Sequence, residues 1–143
     1  MTLKVMPMMK LLKNSRNILY SCVCFGLLNC APSVDDPSNV CTVFDDHFSW
    51  YLAARKSQRK WKVPIGTQMA FMNQESSFQS RARPPRKFYF GFIPGSRPTS
   101  AYGYGQIIDG TWNNYLNDNG FSSWVKSRTS FADVTDFMGW YIN

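Results

Sequence analysis

Glu75 is the residue of this sequence best suited to acid–base chemistry. It is the only glutamate in a chain of 143 residues, and it lies in a helix-like segment among amide, hydroxyl and apolar side chains. A carboxyl group in such surroundings is a candidate general acid or base, because its neighbours can tune its protonation. A half-buried glutamate that braces a nearby loop would have the same neighbours. The residues alone favour neither role over the other.

The elements that must position Glu75 are predicted to be mainly α-helical. Helices are expected over residues 43–62, from Pro64 onward, up to residue 119 before Gly120, and from Ser130 onward. Glu75 then lies near the C-terminal end of the second helix, at the edge of the core. There we expect desolvation by the neighbouring phenylalanines to favour its protonated form.

A long irregular segment, residues 79–99, separates this helix from the next. It contains four prolines and two glycines, and its Phe-Tyr-Phe run at residues 88–90 predicts one strand of a small hairpin. Loops of this length are uncommon in compact domains and are often functional. The segment has five cations and no acid, and these cations are Arg81, Arg83, Arg86, Lys87 and Arg97.

The net charge of +7 belongs mostly to the N-terminal part of the chain. From Asp35 onward, 12 basic and 9 acidic residues leave a balance of only +3. This small excess is weak support for nucleic-acid binding, so we expect no nucleic-acid partner. We also expect no metal site and no cofactor, since His47 stands alone and no cysteine–histidine spacing matches a metal motif.

The first 29 residues have the pattern of a signal peptide. Cations precede an apolar run at residues 18–28, which suits an h-region and is too short to span a bilayer as a helix. The run leads into Leu-Leu-Asn-Cys at residues 27–30, which resembles a bacterial lipobox, although Asn29 departs from the usual small residue. The resemblance implies that Cys30 is acylated and anchors the chain in a membrane.

These patterns divide the chain into three parts. Residues 1–29 form the signal peptide, residues 30–42 a polar, proline-containing tether, and residues 43–143 one domain with a modest core. The protein is then expected to be a monomeric lipoprotein of the bacterial cell envelope. We expect it to face the periplasm, from the outer membrane.

Residues 75–78 (Glu-Ser-Ser-Phe) and residues 100–112 together resemble the two leading motifs of the lytic transglycosylases with a soluble-transglycosylase (SLT) domain, in the lysozyme-like superfamily. That family has Glu-Ser-x-Phe at a helix end and, some tens of residues later, Ser-x-x-Gly-x-x-Gln followed by Gly-Thr. Gly105 and Asp109 depart from the usual Met and Pro. The order and spacing of both motifs carry the resemblance, which implies a lysozyme-like fold. The second motif is matched at Ser100, Gly103, Gln106, Gly110 and Thr111.

The resemblance implies that Glu75 is the catalytic residue of a peptidoglycan lytic transglycosylase. Ordinary glycoside hydrolysis uses two carboxylates, whereas this family works with one. Glu75 would protonate the glycosidic oxygen between MurNAc and GlcNAc and then accept the proton of the C6 hydroxyl of the same MurNAc. A 1,6-anhydro ring closes, and the internal hydroxyl takes the place of water.

The resemblance also implies substrate contacts around Glu75. Its neighbour in the first motif would orient the carboxylate, and the motif glutamine would bind acetamido and hydroxyl groups. Two tyrosines would stack on sugar faces, and the glycines would let the backbone approach the sugar. Buried aromatic rings and turn glycines are the alternative for the same residues. The predicted substrate-binding residues are Ser76, Ser100, Tyr102, Gly103, Tyr104 and Gln106.

Three other functions remain open from the sequence. A lysozyme-type hydrolase would use Asp109 or another aspartate to position water. A catalytically inactive envelope lipoprotein would bind peptidoglycan without cleaving it. A protein that binds nucleic acid or anionic lipid through residues 81–97 would depend steeply on salt and would not need Glu75.

The sequence also predicts that the domain lacks its C-terminal part. The last helix reaches the end of the chain without a capping glycine. The family normally continues to a further motif, whose tyrosine-containing segment closes the far wall of the cleft, and nothing after Gln106 matches it. We therefore expect Trp140 and Tyr141 to be partly exposed and the 143-residue form to be weak or inactive.

Overall fold

The computed structural model describes residues 34–143, which contain five helices and one hairpin. The predicted mainly α fold is confirmed. Cys30 and the predicted signal peptide, residues 1–29, lie outside the described residues. Among the residues described, no helix is both long and apolar enough to cross a membrane. The elements are α1 (Val40–Asp46), α2 (Phe48–Trp61), α3 (Ile65–Ser76), β1 (Phe88–Tyr89), β2 (Ile93–Pro94), α4 (Asp109–Asp118) and α5 (Phe131–Ile142).

The first predicted helix is in fact two helices that meet at His47. Asn39 begins α1 earlier than predicted, because its side-chain oxygen accepts two backbone N–H groups of the first turn at 3.0 and 3.4 Å. Asp45 and Asp46 lie at the C-terminal end of α1, where the dipole of that helix disfavours acids. They also lie just before the N-terminal end of α2, where the dipole of α2 favours acids. The predicted tether, residues 30–42, therefore runs into α1.

Helix α3 carries Glu75 in its last turn. Its buried face includes Met69 and Met72. The chain leaves the helix through Ser77 and Phe78, which both have left-handed backbone, with φ of +48° and +59°. This conformation costs a non-glycine residue about 1–2 kcal/mol, and burial of the Phe78 ring, which is 1 % exposed, offsets that cost.

Helix α5 packs along α2 at short distance. Gly139 permits this approach, since a Cβ there would lie 2.3 Å from the Trp61 ring and 2.6 Å from the Ser57 hydroxyl. The Ser57 hydroxyl donates to the backbone carbonyl of Thr135 at 2.7 Å. A glycine and a buried hydrogen bond thus fix the position of α5 against α2.

Asp136 of α5 binds two other helices. Its carboxylate accepts hydrogen bonds from the Trp61 indole and the Tyr115 hydroxyl, both at 2.7 Å, and from the Lys60 ammonium at 3.2 Å. Burial opposes the charge, yet these bonds hold the pKa of Asp136 below its ordinary value of 3.8. Burial, with the nearby carboxylate, raises the pKa of Tyr115. The network joins α2, α4 and α5.

An aromatic cluster holds the segment before α4 against the helices. Trp50 stacks on Phe131 with ring centroids 4.1 Å apart, and Tyr104 stands edge-on to both at 5.5 and 5.6 Å. Tyr104 belongs to residues 100–108, which lead from the long loop into α4. The second motif is therefore seated directly on the core.

The predicted hairpin is present, with β1 and β2 paired antiparallel and Tyr89 opposite Ile93. It stands outside the core. All five of its large apolar side chains are exposed, over a range from 46 to 89 %. These side chains are Phe88, Tyr89, Phe90, Phe92 and Ile93.

Candidate functional site

Glu75 lines a cleft of about 280 Å³. The cleft is formed by α3, by residues 105–111 and by α5, so the two predicted motifs meet at one site. Within residues 34–143, Glu75 is the only carboxylate that lines it. In the described part of the chain, no group of His, Cys, Asp and Glu side chains could hold a metal ion. The lining consists of Phe71, Glu75, Gly105, Gln106, Ile107, Ile108, Thr111, Phe137, Met138 and Tyr141.

The Glu75 side chain is exposed, so the predicted burial beside the two phenylalanines is wrong. Phe71, one turn earlier, is itself 43 % exposed, and Phe78 turns away into the core. The helical period explains the difference, because Met72 is buried and Ser76, four residues on, continues its face. Glu75 lies beside that face, where a substrate can reach it.

Ser76 fastens the end of α3 to the second motif. Its hydroxyl donates to the backbone carbonyl of Tyr104 at 2.7 Å and to that of Met72 at 3.2 Å. Its predicted partner was Glu75, whereas the hydroxyl donates its hydrogen bonds to these two carbonyls. Ser76 therefore sets the spacing between the helix of the glutamate and the opposite loop.

The two motif glycines allow close packing in different places. Gly103 has a φ of +80°, and a Cβ there would lie 1.9 Å from the carbonyl oxygen of Arg128. A Cβ at Gly105 would lie 2.4 Å from the terminal methyl of Met138. Gly103 was predicted to admit a sugar, but its missing side chain makes room for the backbone at Arg128. Gly105 does line the cleft.

Gln106 lines the cleft with its amide partly engaged. The NH₂ group donates to the backbone carbonyls of Ala82 at 2.9 Å and Gly103 at 3.1 Å. These bonds hold a residue whose φ is +44°, in the left-handed region. Because both bonds use the amide donors, the side-chain oxygen is the group left to bind a ligand, as an acceptor.

Neither tyrosine of the second motif lines the cleft. Tyr104 is 2 % exposed, and burial raises the pKa of its hydroxyl, although a hydrogen bond with Ser80 opposes the shift. The Tyr102 ring lies under the guanidinium of Arg83, 3.9 Å from the ring centroid. The predicted sugar-stacking position is therefore wrong for Tyr104, which is a core residue, and Tyr102 stacks on an arginine instead.

Ser100 and Arg128 fix the start of α4. The Ser100 hydroxyl accepts the backbone N–H of Asp109 at 3.0 Å. Arg128 donates to the carbonyl of Ile107 at 2.7 Å and pairs with the Asp109 carboxylate at 2.7 Å. Ser100 was predicted to bind substrate, but it lies outside the cleft lining. The role of Arg128 was missed, because no local spacing indicates partners some twenty residues away.

The α5 side of the cleft was also missed. Phe137, Met138 and Tyr141 lie there, and Tyr141 stacks on Phe137 with centroids 5.6 Å apart and planes 14° apart. Tyr141 is 60 % exposed and Trp140 is half-buried, as expected. The four-residue spacing of the two rings marks one helix face, but it does not show which cleft that face borders.

One match to a known protein family includes all the residues that line the cleft. A family model described as "Transglycosylase SLT domain" matches residues 18–143. The match includes both motifs and α5, which together supply every side of the cleft. No curated protein and no solved structure matches the chain.

Proposed function

Because the chain belongs to the transglycosylase SLT domain family, whose function concerns peptidoglycan, we propose that it cleaves the β-1,4 bond between MurNAc and GlcNAc and leaves a 1,6-anhydroMurNAc end. Glu75 is the catalytic residue of this reaction. The observation that carries the proposal is that, among the described residues, Glu75 is the only carboxylate in the lining of the cleft. Hydrolysis normally needs two carboxylates, whereas intramolecular ring closure needs one.

The reaction balances with Glu75 alone. The carboxylic acid donates its proton to the glycosidic oxygen as the bond to C1 of MurNAc breaks, and GlcNAc leaves as an alcohol. The resulting carboxylate then accepts the proton of the C6 hydroxyl, whose oxygen attacks C1 and closes the anhydro ring. Glu75 ends the cycle protonated, as it began.

Apolar side chains beside Glu75 offer surface for a sugar. Phe71 is 43 %, Ile108 46 % and Tyr141 60 % exposed, and all three line the cleft. Such rings and aliphatic groups can cover the apolar face of a pyranose. The side-chain oxygen of Gln106 would accept a hydrogen bond from an acetamido N–H or a hydroxyl. The substrate-binding surface is therefore assigned to these residues more than to the tyrosines of the second motif.

A two-carboxylate hydrolase is less well supported. Asp109 is the acid of the second motif, but its carboxylate pairs with Arg128 at 2.7 Å and lies outside the cleft lining. A water activated there would not be within the cleft that holds Glu75. Product chemistry separates the two reactions, because hydrolysis leaves reducing ends.

The deciding experiment compares Glu75→Gln with the parent chain on peptidoglycan sacculi, with products read by mass spectrometry. The amide keeps the shape of the side chain and loses its transferable proton, so cleavage should fall by about 10²–10⁴-fold. Asp118→Asn is the matched control, since it removes an exposed carboxylate at the end of α4, away from the cleft. Retained cleavage in Glu75→Gln would refute the proposal, and reducing ends would replace it with hydrolysis.

A further inference from the structure

The hairpin carries an apolar surface that the cleft does not use. We call residues 88–94 the aromatic hairpin. Phe90 is 89 % and Phe92 75 % exposed, and no residue of the hairpin lines the cleft with Glu75. Contiguous exposed apolar patches of this kind mark sites of interaction with a protein or a membrane. The hairpin therefore needs an explanation separate from glycan cleavage.

The aromatic hairpin is apolar on both faces. Successive side chains of a strand point to opposite faces, yet the adjacent residues Phe88 and Tyr89 are 59 and 57 % exposed. The tip adds Phe90 and Phe92 on either side of Gly91. A sugar ring or a flat protein surface covers one face of a hairpin. A surrounding apolar medium covers both faces and the tip together.

The base of the aromatic hairpin is positively charged. Residues 81–97 contain five cations and no acid, and the ion pairs of residues 34–143 involve none of these cations. Arg83 stacks on a tyrosine ring and Arg97 donates to the carbonyl of Pro84. Arg86 and Lys87, exposed directly before β1, complete a cationic base beneath an apolar tip.

We propose that the aromatic hairpin binds the surface of a membrane that contains anionic phospholipid. Phe90 and Phe92 enter the interface, while Arg86 and Lys87 contact the headgroup phosphates. Basic residues near an anionic bilayer are attracted to it, and apolar rings are stable at the boundary of the acyl chains. The phenylalanines lack the hydrogen-bonding groups that usually orient a sugar, which favours a membrane over peptidoglycan as the occupant.

The test is hydrogen exchange of the full chain, measured by mass spectrometry on peptides from residues 86–96. A local measurement is needed because the predicted leader has an apolar run of its own. Vesicles of phosphatidylcholine with one-quarter phosphatidylglycerol should slow exchange in the hairpin, and pure phosphatidylcholine should slow it much less. The variant Arg86→Gln/Lys87→Gln should lose most of the slowing, since each cation near an anionic surface contributes about fivefold.

Two further variants make the result specific. Phe90→Ser/Phe92→Ser should also abolish the slowing while the thermal melt is unchanged, because both rings are exposed. Trp124→Ser is the matched control, since it removes an aromatic ring that is 97 % exposed outside the hairpin, and it should respond like the parent chain. Glu75→Gln should likewise keep the response, which separates this inference from the catalytic proposal.

Three outcomes would overturn the proposal. One is unchanged exchange in residues 86–96 when the protein is bound to anionic vesicles. Another is equal slowing by neutral and anionic vesicles that survives loss of both cations. The third is slowing by soluble peptidoglycan fragments but not by vesicles, which would assign the hairpin to the glycan.

Discussion

The second motif and the aromatic hairpin lie close together in sequence and are both rich in glycine and aromatic residues, yet they are held in opposite ways. Tyr104 of the motif is 2 % exposed and its backbone carbonyl accepts the Ser76 hydroxyl at 2.7 Å. The hairpin is held mainly by hydrogen bonds within its own backbone, such as the one that the N–H of Gly95 donates to the carbonyl of Lys87 at 2.7 Å. The contacts of the motif therefore fix its distance from α3, whereas the hairpin leaves its side chains accessible.

This difference follows from what each segment would do. Acid–base catalysis depends on placing a carboxyl group within a fraction of an ångström of its target, so the wall opposite Glu75 must be rigid. Binding to a fluid surface depends on exposed area and charge, and it tolerates local motion. The rigidity of the second motif therefore suits catalysis, and the exposure of the aromatic hairpin suits binding to a surface.

The largest predicted effect concerns membrane attachment. We propose that Cys30, which lies outside the described residues, carries lipid and holds the protein at the bacterial envelope. Cys30→Ser should move the protein from the membrane fraction to the soluble fraction after a high-salt wash. Each buried CH₂ of an acyl chain contributes about 0.8 kcal/mol, whereas salt screens the contact made by the hairpin cations.

Fractionation of both forms at low and high salt checks this prediction. The parent chain should stay with membranes in both washes. Cys30→Ser should show partial retention only at low salt, where the cations of the hairpin are not screened. Full retention of Cys30→Ser after high salt would contradict the lipid anchor.

The second prediction compares two glycines with the same backbone conformation. Gly103 and Gly91 have φ of +80° and +79°. A Cβ at Gly103 would lie 1.9 Å from the Arg128 carbonyl oxygen, whereas no atom of the described residues lies within 4 Å of one at Gly91. Gly91→Ala should cost only the left-handed strain, about 1–2 kcal/mol. Gly103→Ala adds overpacking against backbone, for a total of about 2–5 kcal/mol.

Thermal melts of the two alanine variants measure this difference. Gly103→Ala should also lose glycan cleavage, because the loop that carries Gln106 must shift, while Gly91→Ala should keep it. Similar melting temperatures for the two variants would mean that the motif accommodates the added methyl group as easily as the hairpin does. The proposed contrast between a rigid and an accessible segment would then be wrong.

The sequence was most informative where local chemistry decides structure. Pro64, Gly120 and Ser130 bound helices close to the predicted positions, and the side chain of Ser130 accepts the backbone N–H of Asp133 at 3.4 Å. The break at His47 was missed. The backbone there leaves the helical region, with φ of −133° and ψ of +67°. Apolar periodicity continues through that break and cannot show it.

The sequence predicted that the two motifs lie together, but it did not predict their detailed contacts. The two motifs do meet at one cleft, with Glu75 and Gln106 both in its lining. The sequence could not show that Tyr104 is buried against the stacked rings of Trp50 and Phe131, because an aromatic residue beside glycines suits a core and a sugar platform equally well. The contacts of Arg128 and the α5 wall depend on tertiary packing, which no local spacing reports.

The smallest predicted effect concerns the hydroxyl that joins α3 to the motif. Ser76→Ala leaves the carbonyl of Tyr104 without its 2.7 Å partner in a half-buried place. The free energy of unfolding should fall by about 1 kcal/mol, which lowers the melting temperature by about 4–8 °C. Ser96→Ala, an exposed serine at the base of the hairpin, should change stability by less than about 0.5 kcal/mol.

Activity measurements on Ser76→Ala and Ser96→Ala show whether Ser76 positions the site or only stabilises the fold. If Ser76 sets the distance between Glu75 and the opposite loop, Ser76→Ala should lower kcat several-fold well below its melting temperature, with little change in KM. Ser76→Thr keeps the hydroxyl and should restore most of the rate, and Ser96→Ala should match the parent chain. If the rate of every variant follows only the fraction of folded protein, Ser76 stabilises the domain without positioning the site. A hydroxyl with a purely structural role does not change kcat of the folded protein.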